Sequence, residues 1–330
     1  MVMLLNTLFL LKIIVRDEYE FQKKISLIAP FYNECNGVEA FFNKINEVFD
    51  KLKNEFDFEV ICVNDGSKDD TLSRLVGAKN RYEYIKIIDF SRNFGKEAAI
   101  TAGLDYASGD AVIPIDSDLQ HPPELIIEML TKWKEGYEVV LAKRMDRNTD
   151  HILQRFTANL FYRFNNKISH IHIPRDVGDY RLMDRKVVES LKLMTEKCRF
   201  MKGIFSWVGY KTTTIEYKVL PREFGKSSFN TWKLWNFALE GITGFSTVPL
   251  RMWTYLGFFV SMLSFLYAMY LFLKTIIFGV ETPGYASVMV AIFFFSGVQL
   301  IGIGVLGEYI GRIFSEVKQR PIYIIREFIQ

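Results

Sequence analysis

The sequence predicts an α/β domain with a mainly parallel sheet, followed by two transmembrane helices. Two observations carry this expectation. Across residues 25–230, short β-rich runs alternate with runs of helical period, the pattern of strands joined by crossover helices. Charge is also spread unevenly. The 330 residues hold 41 Lys and Arg and 38 Asp and Glu, yet between Arg251 and Glu308 only Lys274 and Glu281 are charged. The 49% hydrophobic content is therefore an average over a charged globular part and an apolar part. Two spans are too few for a polytopic transporter, and a net charge of +3 is too small to point to nucleic acid. Cys35, Cys62 and Cys198 are far apart and form no CxxC pair, which predicts free thiols in a reducing compartment.

Taken in chain order, residues 1–24 form an N-terminal extension. Met1–Val15 is apolar but too short to span a bilayer, and it lacks a cleavage site, so it is expected to pack on the protein or on a membrane surface. Residues 25–229 form the α/β domain. Its strands are predicted at Ile25–Ala29, Glu59–Val63, Ile85–Phe90, Ala111–Ile115 and Glu138–Ala142. Its helices are predicted at Asn36–Lys53, Lys96–Ala107, Pro122–Lys134 and Ile152–Ile168. In residues 230–250, Trp232, Trp235, Leu239, Ile242 and Phe245 recur at helical spacing, which predicts an amphipathic helix lying in the headgroup plane. Residues 251–310 hold the two spans, Thr254–Leu273 and Ala286–Gly307, joined by a short turn containing Pro283-Gly284. Basic residues flank the pair on both outer sides, among them Arg222, Lys226, Lys233, Arg251, Arg312, Lys318 and Arg320. That bias places the α/β domain and the 311–330 tail in the cytoplasm, at an inner (plasma) membrane. Glu308 and Arg312 are spaced to pair on a helix, and Pro321 is expected to end it.

Ligands of parallel sheets bind beyond the carboxyl ends of the strands. Four predicted strand ends lead into polar clusters: Pro30–Glu34, Asn64–Ser67, Ser91–Lys96 and Asp116–Gln120. Asp116 and Asp118, with Gln120, offer hard oxygen ligands suited to Mg²⁺ or Mn²⁺, which hold a diphosphate while keeping waters. An isolated DxD is weak evidence, but this one sits between an apolar strand and the helix start His121-Pro122-Pro123-Glu124. Asp65 before Gly66 is either an acceptor for a nucleobase or ribose or an Asp-Gly turn. Arg92 and Lys96 flank Gly95 at a helix start, where cations and backbone N–H groups favour phosphate. Arg144, Arg147, Arg155, Arg175 and Arg181 form a second basic set with Arg222 and Lys226. The loop Arg222–Ser228 is suited to wrap an anion beside the membrane. There is no GxGxxG after a strand, no GxxxxGK[ST], no HExxH and no GxSxG, which removes dinucleotide, P-loop, zinc-protease and serine-hydrolase chemistry.

Together these motifs resemble the polyprenyl-phosphate glycosyltransferases of glycosyltransferase family 2, the group of bactoprenol glucosyltransferases and dolichol-phosphate mannose synthases. The resemblance runs from about Ile25 to Ile325. It rests on PFYNE at 30–34, VNDGSKDDT at 63–71, SRNFGKEAA at 91–99, DSDLQHPPE at 116–124, DYRLMDR at 179–185, REFGKSS at 222–228 and the tail at 306–325. It implies a GT-A nucleotide-diphosphosugar transferase fold and an inverting transfer from a UDP-sugar to polyprenyl phosphate, with Mg²⁺ or Mn²⁺. By that resemblance, Pro30, Tyr32, Glu34 and Asp65, with Arg92 and Lys96, serve the nucleotide sugar. Asp116, Asp118 and Gln120 hold the metal and diphosphate. Arg144, Arg155, Asn159, Arg222, Lys226 and Ser228 hold the acceptor phosphate, Asn159 standing where the family usually has serine. Asp118, Asp179 and Arg222 are the expected catalytic set. Asp179 either orients the sugar and its developing positive charge or pairs with a neighbouring cation. The tail implies glucose as the sugar, and the resemblance implies a homotetramer. A membrane-anchored transferase with a non-phosphate acceptor and a non-catalytic membrane scaffold are the competing readings.

Overall fold

The computed structural model describes residues 22–145, 177–197, 199, 201–218, 248–278 and 284–330. The predicted helix at Ile152–Ile168, the extension before residue 22 and the amphipathic segment at 230–247 lie outside the described residues.

The first half of the chain alternates strand and helix. β1 (Lys23–Phe31), β2 (Phe56–Asn64), β3 (Ile85–Phe90) and β4 (Ala111–Pro114) are separated by α1 (Val38–Leu52), α2 (Thr71–Lys79) and α3 (Lys96–Tyr106). These four strands run parallel in the order β3-β2-β1-β4. Strands covered on both faces need side chains that pack either way, which is why Val60–Val63 is an unbroken apolar run and Ile25–Ala29 is broken only by the buried Ser26. Successive residues feed opposite layers. Ile25, Leu27 and Ala29 join Phe41, Phe42 and Trp133 on one face, whereas Ile28, Ile61 and Val63 join Ala99 and Ala102 on the other. α3 lies so close to the sheet that a Cβ on Gly103 would stand 2.2 Å from Ile28 Cγ2.

Beyond β4 the sheet changes character. α4 (Leu125–Lys134) is followed by β5 (Val139–Arg144), β6 (Val177–Asp184), α5 (Arg185–Lys192), α6 (Met201–Trp207) and β7 (Thr212–Tyr217). β6 is antiparallel to both β4 and β5, while β7 is parallel to β5. The sheet is therefore mixed, with β6 and β8 running against the other six strands, in the order β7-β5-β6-β4-β1-β2-β3-β8.

Two long helices follow, α7 (Val248–Phe278, 31 residues) and α8 (Tyr285–Val317, 33 residues). Large apolar side chains stand outward on both, including Tyr255, Phe258, Ile277, Leu300 and Ile310. Among the described residues, Phe294–Val317 is a stretch long and apolar enough to cross a membrane. At 1.5 Å per residue, α8 extends about 50 Å, well beyond a hydrocarbon core of about 30 Å. Near its end Glu316 meets the α/β domain, where the Lys197 backbone N–H donates to it at 2.8 Å. The tail then returns to the sheet as β8 (Ile325–Ile329), antiparallel to β3. Tyr323 stacks on Phe90 and donates to Asp105 at 2.7 Å, and Arg326 pairs with buried Asp89 at 3.2 Å.

Candidate active site

The carboxyl ends of β1, β2, β3 and β4 bring all four polar clusters into direct contact. At β1, the loop Tyr32–Cys35 is stitched to the β2 loop. Asn33 N–H donates to Ser67 Oγ at 3.0 Å, Lys68 N–H to Asn33 Oδ1 at 2.8 Å, and Glu34 N–H to Thr71 Oγ1 at 3.0 Å. Asn33 holds φ = 53°, a left-handed conformation that asparagine tolerates. Pro30 sits opposite Val63 in the sheet, Tyr32 is exposed, and Glu34 is half-buried.

Asp65 is buried at the end of β2 and accepts three bonds from the β3 loop. The donors are Asn93 Nδ2 at 2.9 Å, Phe94 N–H at 2.7 Å and Gly95 N–H at 3.0 Å. Burial raises its carboxyl above the usual range, with the two backbone bonds opposing. Gly66 follows at φ = +62°, and a Cβ there would fall 2.3 Å from the Arg92 carbonyl carbon. Glycine is required on both counts. Asp65 thus clamps the loop that starts α3. Arg92 is exposed, with its guanidinium over the Phe94 ring at 4.0 Å.

Lys96, at the first turn of α3, reaches across the strand ends. Its ammonium lies 2.6 Å from Asp116 Oδ1 and 3.1 Å from Asp179 Oδ2. Burial would lower the lysine, but the two carboxylates outweigh it and hold Lys96 firmly charged. Burial would likewise raise Asp116, but Lys96 and then His121 hold it below the usual carboxylate range. Of the two roles expected for Asp179, the ion pair is the one this geometry displays. Asp118 is half-buried and accepts from Gln120 N–H at 3.1 Å across Leu119, which has φ = 58°.

Arg144 ends β5 opposite Tyr217 of β7, and its Nε is buried without a hydrogen-bond partner among the described residues. Tyr217 is pushed up to about 12, chiefly by burial. Arg144 and Lys96 pull it down while Asp116 and Asp118 push it further. The Tyr217 hydroxyl therefore lies within electrostatic reach of the DxD carboxylates, Lys96 and Arg144 together. Arg155, Asn159, Arg222, Lys226 and Ser228 lie outside the described residues.

Three residues of this edge, His121, Tyr180 and Tyr217, went unassigned in the sequence, and Arg181 was read only as a member of the second basic set. His121 stacks on Tyr180 with centroids 4.9 Å apart and stands 3.6 Å from Asp116 Oδ2. Burial lowers it despite Asp116, so it is neutral near pH 7. Tyr180 donates to the Pro122 carbonyl at 2.9 Å, fixing the loop after the DxD. Arg181 is buried with its guanidinium over Phe205 at 4.1 Å. Tyr217 edges against His121. The histidine directly after DSDLQ was the one available signal. The aromatic partners arrive from strands distant in sequence.

A divalent cation fits the donor set in one specific way. Among the described residues no group of three or more His, Cys, Asp or Glu could hold a metal alone. Asp116 is engaged by Lys96 and His121, and Asp118 supplies the second carboxylate. One or two carboxylates completed by substrate phosphates is the usual Mg²⁺ arrangement.

The Glycosyl transferase family 2 domain matches residues 26–192, and the GtrB C-terminal hairpin matches residues 248–313. The chain belongs to glycosyltransferase family 2. It is 54% identical to the SfII prophage-derived bactoprenol glucosyl transferase of Shigella flexneri, over 92% of this chain and 98% of that one. It is 52% identical to an uncharacterized glycosyltransferase of Synechocystis, over 92% and 95% of the two chains. A prophage bactoprenol glucosyl transferase homolog of Escherichia coli is 52% identical, over 92% and 98%. The α/β domain with its mixed sheet is accordingly a GT-A-like transferase domain, and the protein is a hexosyltransferase.

Proposed function

We propose that this enzyme transfers glucose, with inversion, from UDP-glucose to a polyprenyl phosphate at the cytoplasmic face of a membrane that α7 and α8 both cross. The observation that carries the proposal is the meeting of Asp116, Asp118, Asp179, Lys96 and Arg144 on one sheet edge. Nucleotide-sugar donor groups thus stand beside a cation suited to an incoming phosphate. The names of the Shigella relatives support bactoprenol as the lipid.

The acceptor phosphate is anionic at pH 7 and needs alignment more than deprotonation. Arg144, with Arg155, Arg222, Lys226 and Ser228, would hold it. Asp65 keeps the 93–95 loop closed, so that Lys96 is delivered to Asp116 and Asp179. Lys96 holds Asp116 ionised and pairs with Asp179, which is thereby positioned to face positive charge developing at the anomeric carbon. Asp118 and Gln120 would take a Mg²⁺ or Mn²⁺ together with the diphosphate, with Asp116 as second carboxylate. That ion would offset charge on the departing UDP. Pro30, Tyr32 and Glu34 would flank the uridine, and Arg92 the phosphates. Assembly as a homotetramer belongs to this reading.

Turnover of a panel of UDP- and GDP-sugars with undecaprenyl phosphate, with and without Mg²⁺, tests the proposal. UDP-glucose with lipid phosphate is expected to be turned over, and Asp118→Asn is expected to abolish the metal-dependent rate. Turnover with a phosphate-free acceptor, or none with any sugar, would favour the anchored transferase or the scaffold instead. Arg222→Ala is expected to raise KM for the lipid more than for UDP-glucose.

A further inference from the structure

A second basic feature lies outside the machinery described above. Where α8 meets the α/β domain, a cavity of about 410 Å³ opens between the first turn of α3, the segment 197–199 and the end of α8. Lys197, Arg199, Lys318 and Arg320 line it, against one lining carboxylate, Glu97. Its remaining walls are largely apolar, with Phe94 on one side and Phe314 and Ile322 on the other. The Lys318 ammonium rests over the Phe314 ring at 3.9 Å.

Three observations say what fits. Arg199, which lines the cavity, has its Nε buried with no hydrogen-bond partner among the described residues, which leaves an unsatisfied cationic donor there. Burial lowers Arg199 although Asp105, Glu196 and Glu316 pull the other way, so an added anion would relieve a desolvated guanidinium. The cavity also opens at the polar end of an apolar helix, where a headgroup could enter with its chains still along Phe314 and the outward apolar face of α8. It is separated from the transfer site by the first turn of α3. Lys96 points to Asp116, whereas its neighbours Glu97 and Ala98 line the cavity. The four lining cations suit a phosphodiester, and Glu97 can accept from headgroup hydroxyls.

We propose that this cavity is a binding site for the phosphodiester headgroup of an anionic membrane phospholipid, separate from the acceptor site. The proposal rests on the membrane placement above. It makes the enzyme's seating at the bilayer depend on lipid charge.

The test uses the full chain in phosphatidylcholine nanodiscs doped with spin-labelled phosphatidylglycerol or spin-labelled phosphatidylcholine. The expected result is a motionally restricted population selective for phosphatidylglycerol. It should weaken about fivefold for each cation removed in Lys318→Gln and Arg320→Gln, and be retained in Arg320→Lys. Both side chains are exposed, so the fold should tolerate the changes. Unchanged selectivity in the glutamine variants would overturn the proposal. So would displacement of the label by millimolar inorganic phosphate, which would mark a free-phosphate pocket. A rise in KM for undecaprenyl phosphate with unaltered phosphatidylglycerol selectivity would instead assign the cavity to the acceptor. Failure of the chain to enter bilayers would sink the membrane reading itself, whereas entry without selectivity would sink this inference alone.

Discussion

Glu59 and Lys96 are the centres of two charge clusters near opposite ends of the same sheet. At the amino-terminal end, Glu59 is 2% exposed and its carboxylate is surrounded by donors. Ser26 Oγ donates at 2.6 Å, Ser108 N–H at 2.6 Å and Ser108 Oγ at 2.9 Å, while Lys86 and Lys24 approach to 2.8 and 3.1 Å. Burial alone would raise this carboxyl, yet the bonds from Lys86, Ser26, Ser108 and Lys24 lower it to about 2. At the carboxyl-terminal end the stoichiometry is inverted. One ammonium, Lys96, serves Asp116 and Asp179 while Asp118 stands two residues from Asp116. The first cluster is satisfied and stabilises the fold. The second holds more negative charge than its lysine neutralises, a condition that a divalent cation would relieve. Burial of charge is common to both, so the count of partners separates structural from functional.

The largest effect that would break this comparison is in activity. Lys96→Met should cut turnover 100- to 1,000-fold, the range for losing a charge aligned with the transition state, while thermal unfolding shifts little. A variant that lost stability instead would make Lys96 a second Glu59. Next, Glu59→Gln should cost about 3 kcal/mol of stability in denaturant titration, the free-energy equivalent of lowering a glutamate to about 2. Activity per folded molecule should be unchanged. Because the folded carboxyl lies below the unfolded one, this stabilisation is present at neutral pH and is lost as pH falls from the ordinary carboxylate range towards 2. An unfolding midpoint with the same acid dependence in wild type and Glu59→Gln would overturn that assignment. Gly66→Ala should then cost about 1–3 kcal/mol through its left-handed backbone and its contact with Arg92, and should raise KM for the nucleotide sugar by loosening the Asp65 clamp. Smallest of all, Lys132→Ala breaks an exposed pair with Glu135 and should change stability by no more than about 0.5 kcal/mol.

The same contrast explains what could be read from the amino acids. Buried parallel strands announce themselves as apolar runs, so β1 to β5 were legible within a few residues. β6 was not, because Asp179, Arg181 and Asp184 break its pattern with charge, and the lysine that pairs with Asp179 lies far away in sequence. β8 was hidden for another reason. Ile325–Ile329 reads Ile-Arg-Glu-Phe-Ile, which lacks the strict alternation of a half-buried strand, and it follows an apolar helix, so it reads as a tail. The site was legible as motifs but not as pairings. Lys96 looked like a phosphate cation because Asp116 and Asp179 lie 20 and 83 positions away. Asp65 looked like a nucleobase acceptor, and its three bonds to the 93–95 loop appear only once β2 and β3 lie side by side.

The return of the chain to the sheet as β8 has a mechanical consequence. Only residues 318–324 separate the end of α8 from a strand locked onto β3, and Tyr323 within them is already stacked on Phe90. A domain hung from a single loose linker would swivel and change its height above the lipid. Here the strand acts as a short strut that restricts both motions, fixing the distance between the end of α8 and the carboxyl edge of the sheet. It also covers β3, so shortening the chain before Ile325 would bare that edge to other strands and invite aggregation.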